Sequence, residues 1–373
     1  MKILILSCDT GEGHNSAGNA IKDYFERHGV CCDMLNALSF FPRPLSSLIS
    51  KGPVFVYRKL PKLFGVGYRH EEKGFSGVIS RALMEAAGPL HKYLVDGGYD
   101  VVLCVHTFTA TMMKAVRRRY GTDVAQYFVA TDYTCSPGAG GSEMDAYFIP
   151  RGVKEDFIRC GLAEGRLVET GIPVQESFYQ PRNRKAAREE LGFPQDSRIL
   201  LLMCGSMGCG PIEELVQTLG GRLSANTHLV VVCGSNERLY SRLMEQNHSG
   251  QIHILGFTRK MNQLMAAADL FLSKPGGLSS TEAMVKRLPM ICINAVPGCE
   301  TRNLEFFLKK GYATTAETVE GLSALALDLL DHPEKTDRML RAIEEDFSAC
   351  AVESIYQYVM AHSVQTKERQ VAP

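Results

Sequence analysis

Residues 269–283 read Asp-Leu-Phe-Leu-Ser-Lys-Pro-Gly-Gly-Leu-Ser-Ser-Thr-Glu-Ala, a pattern that predicts a strand, a tight turn and a helix. The apolar run that ends at Ser273 predicts a short buried strand. Gly276 and Gly277 follow a proline and predict a turn whose backbone can approach a ligand closely. A hydroxyl from residues 279–281 is expected to cap the helix. Since free backbone N–H groups and the helix dipole favour negative charge, this arrangement predicts an anion-binding site.

Two charged residues near the turn indicate what kind of anion would bind. Lys274 adds a positive charge, and Glu282 lies one turn into the helix. A carboxylate repels phosphate but accepts hydrogen bonds from the hydroxyls of an adjoining sugar. We therefore predict a nucleotide or nucleotide-sugar, with its diphosphate on the glycines and a ribose on Glu282. The alternative is an ordinary tight turn of an α/β domain that binds no ligand.

A similar strand, glycine loop and helix open the chain, where residues 9–16 read Asp-Thr-Gly-Glu-Gly-His-Asn-Ser. Ser16 stands where the dinucleotide fingerprint needs its third glycine, and there is no Walker A pattern. The loop instead places Asp9 and His14 at opposite ends of one turn. A helix N-terminus disfavours imidazolium, so His14 should stay neutral and basic. The alternative makes His14 a helix-cap residue and Asp9 a loop carboxylate, and the loop by itself does not choose between the two.

Other polar residues follow later strands of the N-terminal half. His106, with Phe108 beside it, and Asp132 each come just after a predicted buried strand. The carboxyl ends of parallel strands meet at one edge of a sheet. We therefore expect these side chains to share one crevice with Asp9 and His14.

Length and composition limit the classes of protein to which the chain can belong. Its 373 residues exceed one ordinary core, so two domains are expected. A formal net charge of zero argues against nucleic acid as the main partner. The 12 cysteines form no Cys-x-x-Cys pair, which argues against a metal or disulfide framework and indicates a reduced cytosolic interior. The apolar start is too short for a signal peptide, and no apolar stretch reaches the roughly 18 residues of a membrane span.

Residues 36–74 differ from the rest of the chain because they combine many aromatic and apolar residues with seven basic residues and two glutamates. The basic residues are Arg43, Lys51, Arg58, Lys59, Lys62, Arg69 and Lys73. Such a segment is a candidate for lying on an anionic membrane surface. The alternative is a helical insertion that packs on the domain and leaves its lysines solvated.

Glycines, prolines and polar residues between 171 and 184 mark a domain boundary, after which the alternation of strands and helices starts again. This repeated alternation predicts an α/β fold of two doubly wound, Rossmann-like domains with a cleft between them. The predicted parts are an N-terminal domain (residues 1–175), a C-terminal domain (176–350) and a C-terminal helix and tail (351–373) that could pack back on the N-terminal domain.

Three motifs, in this order, resemble those of one enzyme family. They are the loop Asp9-Thr-Gly-x-Gly-His-x-Ser-Ala17, the turn Ser-Lys-Pro-Gly-Gly with Glu282, and Pro297-Gly-x-Glu300-x-x-Asn303. Over nearly its whole length the chain is similar to bacterial processive diacylglycerol glucosyltransferases and plant monogalactosyldiacylglycerol synthases, which are relatives of the peptidoglycan enzyme MurG. The resemblance implies a GT-B fold, a UDP-sugar bound by the C-terminal domain and a lipid acceptor bound by the N-terminal domain. It also implies an inverting reaction without a metal or other cofactor.

The resemblance assigns residues to the binding of the UDP-sugar. The diphosphate would be held by Gly205, Ser206, Met207, Gly208, Gly276 and Gly277. Phe257 would recognise the uracil base, and Glu282 would bind the ribose. Glu300 and Asn303 would hold hydroxyls of the transferred sugar. Apart from the resemblance, the position of Lys274 beside the glycine turn predicts that it stabilises charge on the departing UDP.

On the acceptor side, the resemblance makes His14, together with Asp9, the general base or its supporting pair. The other residues expected around the acceptor are Gly11, Gly13, His106, Phe108 and Asp132. This chain therefore has a candidate base as well as a candidate site for the UDP-sugar.

The chain departs from the family at two places. Cys299 replaces a glutamine beside Glu300, so the sugar could differ from glucose or galactose, because a thiol cannot make the paired hydrogen bonds of an amide. The His and Trp that the family tends to carry after Asp132 are missing. The acceptor is therefore less well defined than the UDP-sugar.

These inferences predict a UDP-sugar-dependent inverting glycosyltransferase that adds a hexose to a diacylglycerol-type lipid in glycolipid synthesis. The enzyme is expected in the cytoplasm, peripheral on the inner face of the cell membrane. The alternatives are a MurG-like transferase with an undecaprenyl-linked or soluble acceptor, a UDP-sugar-binding regulator and a UDP-sugar epimerase. A pair formed by Asp9 and His14 argues against the regulator, because a regulator needs only the UDP-sugar site.

Overall fold

The computed structural model describes residues 1–9, 11–41, 77–136, 138–246, 249–293, 295 and 298–371, without the side chains of 77–80 and 363–371. The chain folds as two compact units. The first comprises Met1–Glu176, Pro297–Cys299 and Ala349–Pro373, and the second comprises Ser177–Val296 and Glu300–Ser348. The chain thus leaves the first unit after Glu176 and, apart from the short stretch Pro297–Cys299, returns to it with its last helix.

Strands and helices alternate through both units. In the described residues the strands are β1 (Lys2–Ser7), β2 (Cys31–Asn36), β3 (Val101–Cys104), β4 (Ala125–Val129), β5 (Ala146–Ile149), β6 (Leu167–Glu169), β7 (Arg198–Met203), β8 (Thr227–Val232), β9 (Ile252–Leu255), β10 (Leu270–Ser273), β11 (Met290–Cys292) and β12 (Thr314–Thr315). The α-helices are α1 (Glu12–Arg27), α2 (Gly77–Gly97), α3 (Thr107–Tyr120), α4 (Lys154–Arg159), α5 (Arg184–Leu191), α6 (Ile212–Gly220), α7 (Glu237–Gln246), α8 (Met261–Ala267), α9 (Gly277–Val285), α10 (Cys299–Lys310), α11 (Val319–Asp331), α12 (Asp337–Asp346) and α13 (Ala351–Val371). Short 3-10 helices lie at Ala37–Phe40, Glu164–Arg166, Glu176–Tyr179 and Pro333–Thr336.

Each unit is built on one parallel sheet. The strand order is β2-β1-β3-β4-β5-β6 in the first unit and β12-β11-β10-β7-β8-β9 in the second. Neighbouring strands pair in parallel throughout both sheets. The order reverses between β1 and β3 in the first sheet and between β7 and β10 in the second, and ligands of such sheets bind outside the carboxyl ends of the strands at this reversal. The predicted α/β fold of two doubly wound domains is confirmed.

The inner strands of both sheets are buried on both faces, which explains their almost continuous apolar sequences. Ile3–Leu6 of β1 and Leu200–Leu202 of β7 have no exposed surface. In the first unit, Val352, Ile355 and Val359 of α13 join the same buried cluster as the residues of β1. The last helix of the chain therefore completes the core of the first unit.

The segment predicted to bind membranes lies mostly outside the described residues. Of residues 36–74, the structure describes 36–41, where Asn36 Oδ1 accepts a hydrogen bond from Leu38 N at 3.0 Å and caps a 3-10 helix. Among the helices of the described residues, none is long and apolar enough to cross a membrane. The membrane-binding role of the segment stays a prediction.

Candidate functional site

The helix that follows the central glycine turn begins without a side-chain cap. Gly276 is the N-cap of α9, with φ −78° and ψ 145°, and Gly277 is the first helical residue. The prediction that a hydroxyl of 279–281 caps this helix is wrong, because the helix starts before these residues and contains them. Thr281 Oγ1 instead donates to Gly277 O at 2.7 Å. The N–H groups of the first turn are therefore not taken up by a side-chain cap and can face an anion.

Lys274 and Glu300, both predicted to bind the UDP-sugar, contact each other in the second unit. Lys274 Nζ lies 2.5 Å from Glu300 Oε1, and each side chain is only 13% exposed. Removing one partner of a pair so shielded from water would leave the other charge uncompensated. In this structure the charge of Lys274 is thus balanced by Glu300.

The stem of Lys274 also explains the first glycine of the loop after β7. Gly205 has φ +69°, and a Cβ at this position would lie 2.7 Å from Cε of Lys274. Both the left-handed backbone and this close approach favour glycine. Later in the same loop, Met207 O accepts a hydrogen bond from Cys209 Sγ at 3.5 Å. The loop predicted to hold the diphosphate therefore lies against the lysine predicted to neutralise it.

Two other glycines fix the loop after β7 to the loop after β8. A Cβ on Gly208 (φ +55°) would lie 2.1 Å from Cys233 O, and a Cβ on Gly234 (φ +58°) would lie 2.1 Å from Ser206 O. The amide of Asn236 donates to Gly208 O at 2.9 Å. Gly234 and Asn236 therefore support the predicted diphosphate loop, although sequence reasoning missed them. The signal that could have found them is the run Gly-Ser-Asn, which begins two residues after the end of β8.

Glu282, the predicted ribose ligand, lies in the second turn of α9 with a half-buried side chain. Burial raises the pKa of its carboxyl to about 8. Within the part of the chain that the structure describes, no group donates a hydrogen bond to this carboxyl. A ligand that brings hydroxyl donors would restore the hydrogen bonds lost with water. The environment of Glu282 is thus suited to a ribose, and its contact with one stays a prediction.

Two other predicted ligands of the UDP-sugar occupy contrasting positions. Phe257, which follows β9, is 64% exposed, and an exposed ring of this kind can receive a base by stacking. Asn303 of α10 is fully buried, and its amide donates to Pro275 O at 3.0 Å. In this conformation Asn303 fixes the glycine turn, and a contact with the sugar would require its side chain to become accessible.

In the first unit, the ring of His14 lies in the first turn of α1 and is oriented by groups that follow β3 and β4. His14 Nδ1 lies 2.8 Å from Val105 O and 3.1 Å from Thr131 Oγ1. A carbonyl only accepts hydrogen bonds, so Nδ1 carries the proton and Nε2 keeps its lone pair. Burial lowers the pKa of His14, although Asp132 and the Val105 carbonyl oppose this shift. The ring thus has the protonation state that a general base needs.

The ring of His106 lies beside that of His14, with 4.6 Å between the ring centroids and 71° between the planes. His106 is the N-cap of α3, and its Nδ1 accepts from Phe108 N at 3.0 Å. Burial and the neighbouring His14 hold the pKa of His106 well below its usual value. The structure therefore brings His14, His106 and Phe108 together. Neither this cluster nor another in the described residues groups three His, Cys, Asp or Glu side chains that could hold a metal ion.

Asp9 does not pair with His14, contrary to the predicted arrangement. Its Oδ1 accepts from Asn15 Nδ2 and its Oδ2 from Asn36 Nδ2, each at 2.9 Å. Amides thus use both oxygens, and the carbonyl of Val105 takes the place at His14 that a carboxylate was expected to fill. Without this pair, the residues around His14 no longer distinguish a transferase from a UDP-sugar-binding regulator.

The structure gives no packing reason for glycine at position 11. Gly11 has φ 166°, an extended backbone that any residue adopts, and a Cβ there would meet nothing within 4 Å. Gly13 follows in the first turn of α1. The predicted contact of this loop with an acceptor therefore stays a prediction.

Comparison with known families and proteins places these features among glycosyltransferases. The model of monogalactosyldiacylglycerol (MGDG) synthase matches residues 14–174, and that of the glycosyltransferase family 28 C-terminal domain matches residues 199–353. A processive diacylglycerol beta-glucosyltransferase of Staphylococcus aureus (strain MRSA252) is 28% identical over 274 residues, which cover 72% of this chain and 70% of the relative. The first family match begins at His14, and the second contains Gly205, Glu282 and Glu300.

Solved structures share the fold over nearly the whole chain. MurG of Acinetobacter baumannii has a TM-score of 0.66 at 14% identity, covering 96% of this chain and 99% of MurG. UDP-GlcNAc 2-epimerase from Neisseria meningitidis, bound to UDP-GlcNAc, has a TM-score of 0.65 at 13% identity. The match covers 97% of this chain and 100% of the epimerase chain. Identities this low show the fold alone. The family matches add similarity in sequence, and the resemblance is confirmed: the chain is a glycosyltransferase similar to the processive diacylglycerol glucosyltransferases and the monogalactosyldiacylglycerol synthases, with the fold of MurG.

Proposed function

We propose that this glycosyltransferase moves a hexose from a UDP-sugar to a hydroxyl group of a diacylglycerol-type lipid, with inversion at the anomeric carbon. The observation that carries the proposal is the protonation state of His14, whose Nδ1 donates to a backbone carbonyl and leaves Nε2 able to accept a proton. The name of the Staphylococcus aureus relative supports the choice of a diacylglycerol-type acceptor.

In the proposed reaction the acceptor hydroxyl attacks the anomeric carbon, and the bond from this carbon to the UDP oxygen breaks. UDP leaves with the electron pair of the broken bond, and the hydroxyl proton passes to Nε2 of His14. The helix N-terminus at Gly277 and the charge of Lys274 would stabilise the negative charge that develops on UDP. Asp132 would stabilise the imidazolium, since its charge raises the pKa of His14.

The ion pair of the second unit suggests how the UDP-sugar is received. A diphosphate and Glu300 compete for the same ammonium group of Lys274, which now lies 2.5 Å from the carboxylate. We expect Lys274 to turn to the diphosphate when the UDP-sugar binds, which frees Glu300 to accept hydrogen bonds from the hexose. The ribose would then lie on Glu282 and the uracil on the exposed ring of Phe257.

Because the proposed acceptor is a membrane lipid, we propose that the enzyme acts at the inner face of the cell membrane. The seven basic residues between positions 36 and 74 support this location, because anionic lipid headgroups attract lysine and arginine. Nucleic acid is not among the proposed partners, since the formal net charge of the chain is zero.

Release of UDP over a panel of UDP-sugars, measured with and without diacylglycerol vesicles, tests the proposal. We expect one UDP-hexose to be consumed, with a rate that rises with diacylglycerol and a glycolipid as the second product. Isomerisation of the UDP-sugar without an acceptor would instead indicate an epimerase, and tight binding without turnover a regulator. Turnover only with an undecaprenyl-linked or soluble acceptor would show that the lipid assignment is wrong.

A further inference from the structure

We propose that His106 donates a hydrogen bond through Nε2–H to the oxygen of the acceptor hydroxyl whose proton His14 receives. This inference rests on the proposed function and adds a second histidine, with a different role, to the acceptor side. The two rings would hold one hydroxyl group from both sides, His14 accepting its proton and His106 binding one lone pair. The other lone pair of the oxygen stays free to attack.

The proton of His106 is placed by the backbone of α3. His106 Nδ1 lies 3.0 Å from Phe108 N, and a backbone N–H can only donate. Nδ1 must therefore be unprotonated, and in the neutral ring the proton is on Nε2. Burial and the proximity of His14 keep the ring neutral, because both lower the pKa of His106.

The proton of His14 is placed in the opposite way. Its Nδ1 lies 2.8 Å from Val105 O, so Nδ1 is protonated and Nε2 is an acceptor. Thr131 Oγ1, at 3.1 Å from the same nitrogen, occupies the same edge of the ring. The two neighbouring rings thus offer one acceptor and one donor, which is the complement of a single hydroxyl group.

The residues that follow β3 determine the proton positions of both imidazole rings. Val105, whose carbonyl orients His14, is followed directly by His106, and β3 lies next to β1 where the order of the first sheet reverses. Both imidazole side chains are half-buried, and in the described residues neither Nε2 has a hydrogen-bond partner. Each ring therefore uses its Nδ1 edge for the protein and keeps Nε2 for another group.

A purely structural role of His106 would need only its Nδ1 and not its Nε2. Capping the helix requires an acceptor for Phe108 N, which the side-chain oxygen of asparagine supplies equally well. It does not require the donor at Nε2. The variant His106→Asn therefore keeps the cap and removes this donor, whereas His106→Gln carries an amide N–H close to the position of Nε2 and loses the cap.

The experiment measures hexose transfer to diacylglycerol vesicles, UDP affinity and melting temperature for the parent and both variants. We expect His106→Asn to lower kcat/KM for the lipid by about tenfold, the effect of one lost hydrogen bond, with melting temperature and UDP affinity near those of the parent. His106→Gln should recover part of the rate even though it melts at a lower temperature. A His106→Asn variant with the parental kcat/KM would overturn the inference, as would a glutamine variant that is no faster than the asparagine variant.

A second readout needs no turnover. Nitrogen NMR of the imidazole rings should show the proton on Nε2 of His106 and on Nδ1 of His14, and the reverse for His106 would also overturn the inference. If the parent transfers no hexose to any lipid, the proposed function fails. If the parent is active and only the variants or the spectra disagree, the proposed function stands and the role of His106 alone is rejected.

Discussion

The polar groups after β1 and β3 in the first unit and those after β7 and β10 in the second differ in how they are held. Backbone groups of the protein fix the ring nitrogens of His14 and His106. In the second unit Glu282 is desolvated without a donor among the described residues, and Lys274 is engaged by Glu300. A base must be oriented before its substrate arrives, whereas groups that bind a nucleotide can be completed by the nucleotide itself. The two histidines of the first unit are therefore preorganised, whereas the charged side chains of the second unit are expected to rearrange when the nucleotide binds.

Among substitutions that test this difference between the two units, we expect the largest effect from replacing His14. His14→Ala should lower kcat by about 10²–10⁴-fold, which is the usual contribution of a positioned general base, and should leave UDP affinity nearly unchanged. In the parent, kcat should fall as the pH drops below the pKa of His14, because the base must be deprotonated. Since burial lowers this pKa, the fall should lie below 6.5. Steady-state kinetics over pH and calorimetric titration with UDP measure both quantities.

The control for this experiment is His332→Ala, which removes an exposed histidine of the second unit. It should keep the parental kcat. Near-parental kcat in His14→Ala would make His14 a structural residue of α1. Loss of UDP affinity together with the rate would instead assign His14 to nucleotide binding.

The glycine loops of the second unit give the next effect. Gly208→Ala should lower the free energy of unfolding by at least about 2 kcal/mol, because the residue has φ +55° and its Cβ would meet the backbone oxygen of Cys233. Gly11→Ala, in the first unit, is the matched control, since a Cβ there meets nothing within 4 Å. Urea denaturation of both variants checks the prediction, and equal stability of the two would contradict the role given to the interlocked loops.

Glu282 tests the expectation that the UDP-sugar completes the site of the second unit, because its predicted partner is the ribose of that ligand. Glu282→Ala should weaken UDP binding by about 1–3 kcal/mol, the cost of leaving ribose hydroxyls unpaired. Titration with UDP measures this effect, with Glu237→Ala at the start of α7 as a control carboxylate. Unchanged affinity in a folded Glu282→Ala variant removes this residue from the site.

The same carboxyl also predicts a pH dependence of stability. Its folded pKa of about 8 lies above the ordinary value of 4.5, so the folded protein holds a proton that the unfolded chain loses first. Stability of the parent should therefore decrease as pH rises from about 4.5 to about 8. Glu282→Gln cannot titrate, and the difference in melting temperature between variant and parent should grow in its favour across this window. A difference that stays constant with pH would show that the carboxyl is not desolvated.

The smallest effect per residue concerns the membrane. Each lysine or arginine of residues 36–74 should contribute about 1 kcal/mol to binding of anionic vesicles, and salt should weaken the binding. Changing Arg58, Lys59 and Lys62 to serine should reduce sedimentation with such vesicles. The control changes three exposed basic residues of the second unit, Lys335, Arg338 and Arg341, to serine. Equal sedimentation of both variants would contradict a specific role for the segment.

The sequence contains enough information for the fold because each strand, glycine loop and helix is signalled locally. Apolar runs bounded by glycine predict the strands, and their repetition in two halves predicts two sheets. The side-chain contacts are less accessible, because a partner that belongs to the backbone has no characteristic residue type. The carbonyl that orients His14 belongs to Val105, an apolar residue that carries no functional signal. For the same reason the Asp9–His14 pair was a reasonable expectation and a wrong one.

Burial was equally hard to predict for residues of the UDP-sugar site. Asn303 stands at a spacing that suggests a sugar ligand, yet its amide is inside the protein and bound to Pro275 O. The start of α9 shows a related difficulty. Three hydroxyl residues in a row are typical of helix caps, but Gly276 and Gly277 allow the helix to begin earlier. Which of several acceptable positions a helix uses depends on tertiary packing, which the local sequence does not contain.

The return of α13 to the first unit has a consequence for the order in which a newly made chain folds. A ribosome would release all of the second unit, which ends at Ser348, before it releases Val352, Ile355 and Val359. The core of the second unit can therefore form during synthesis. The apolar face of the first sheet stays exposed until the residues of α13 have been made. Chains that stop at residue 348 should accordingly keep a protease-resistant second unit and lose protection of the first.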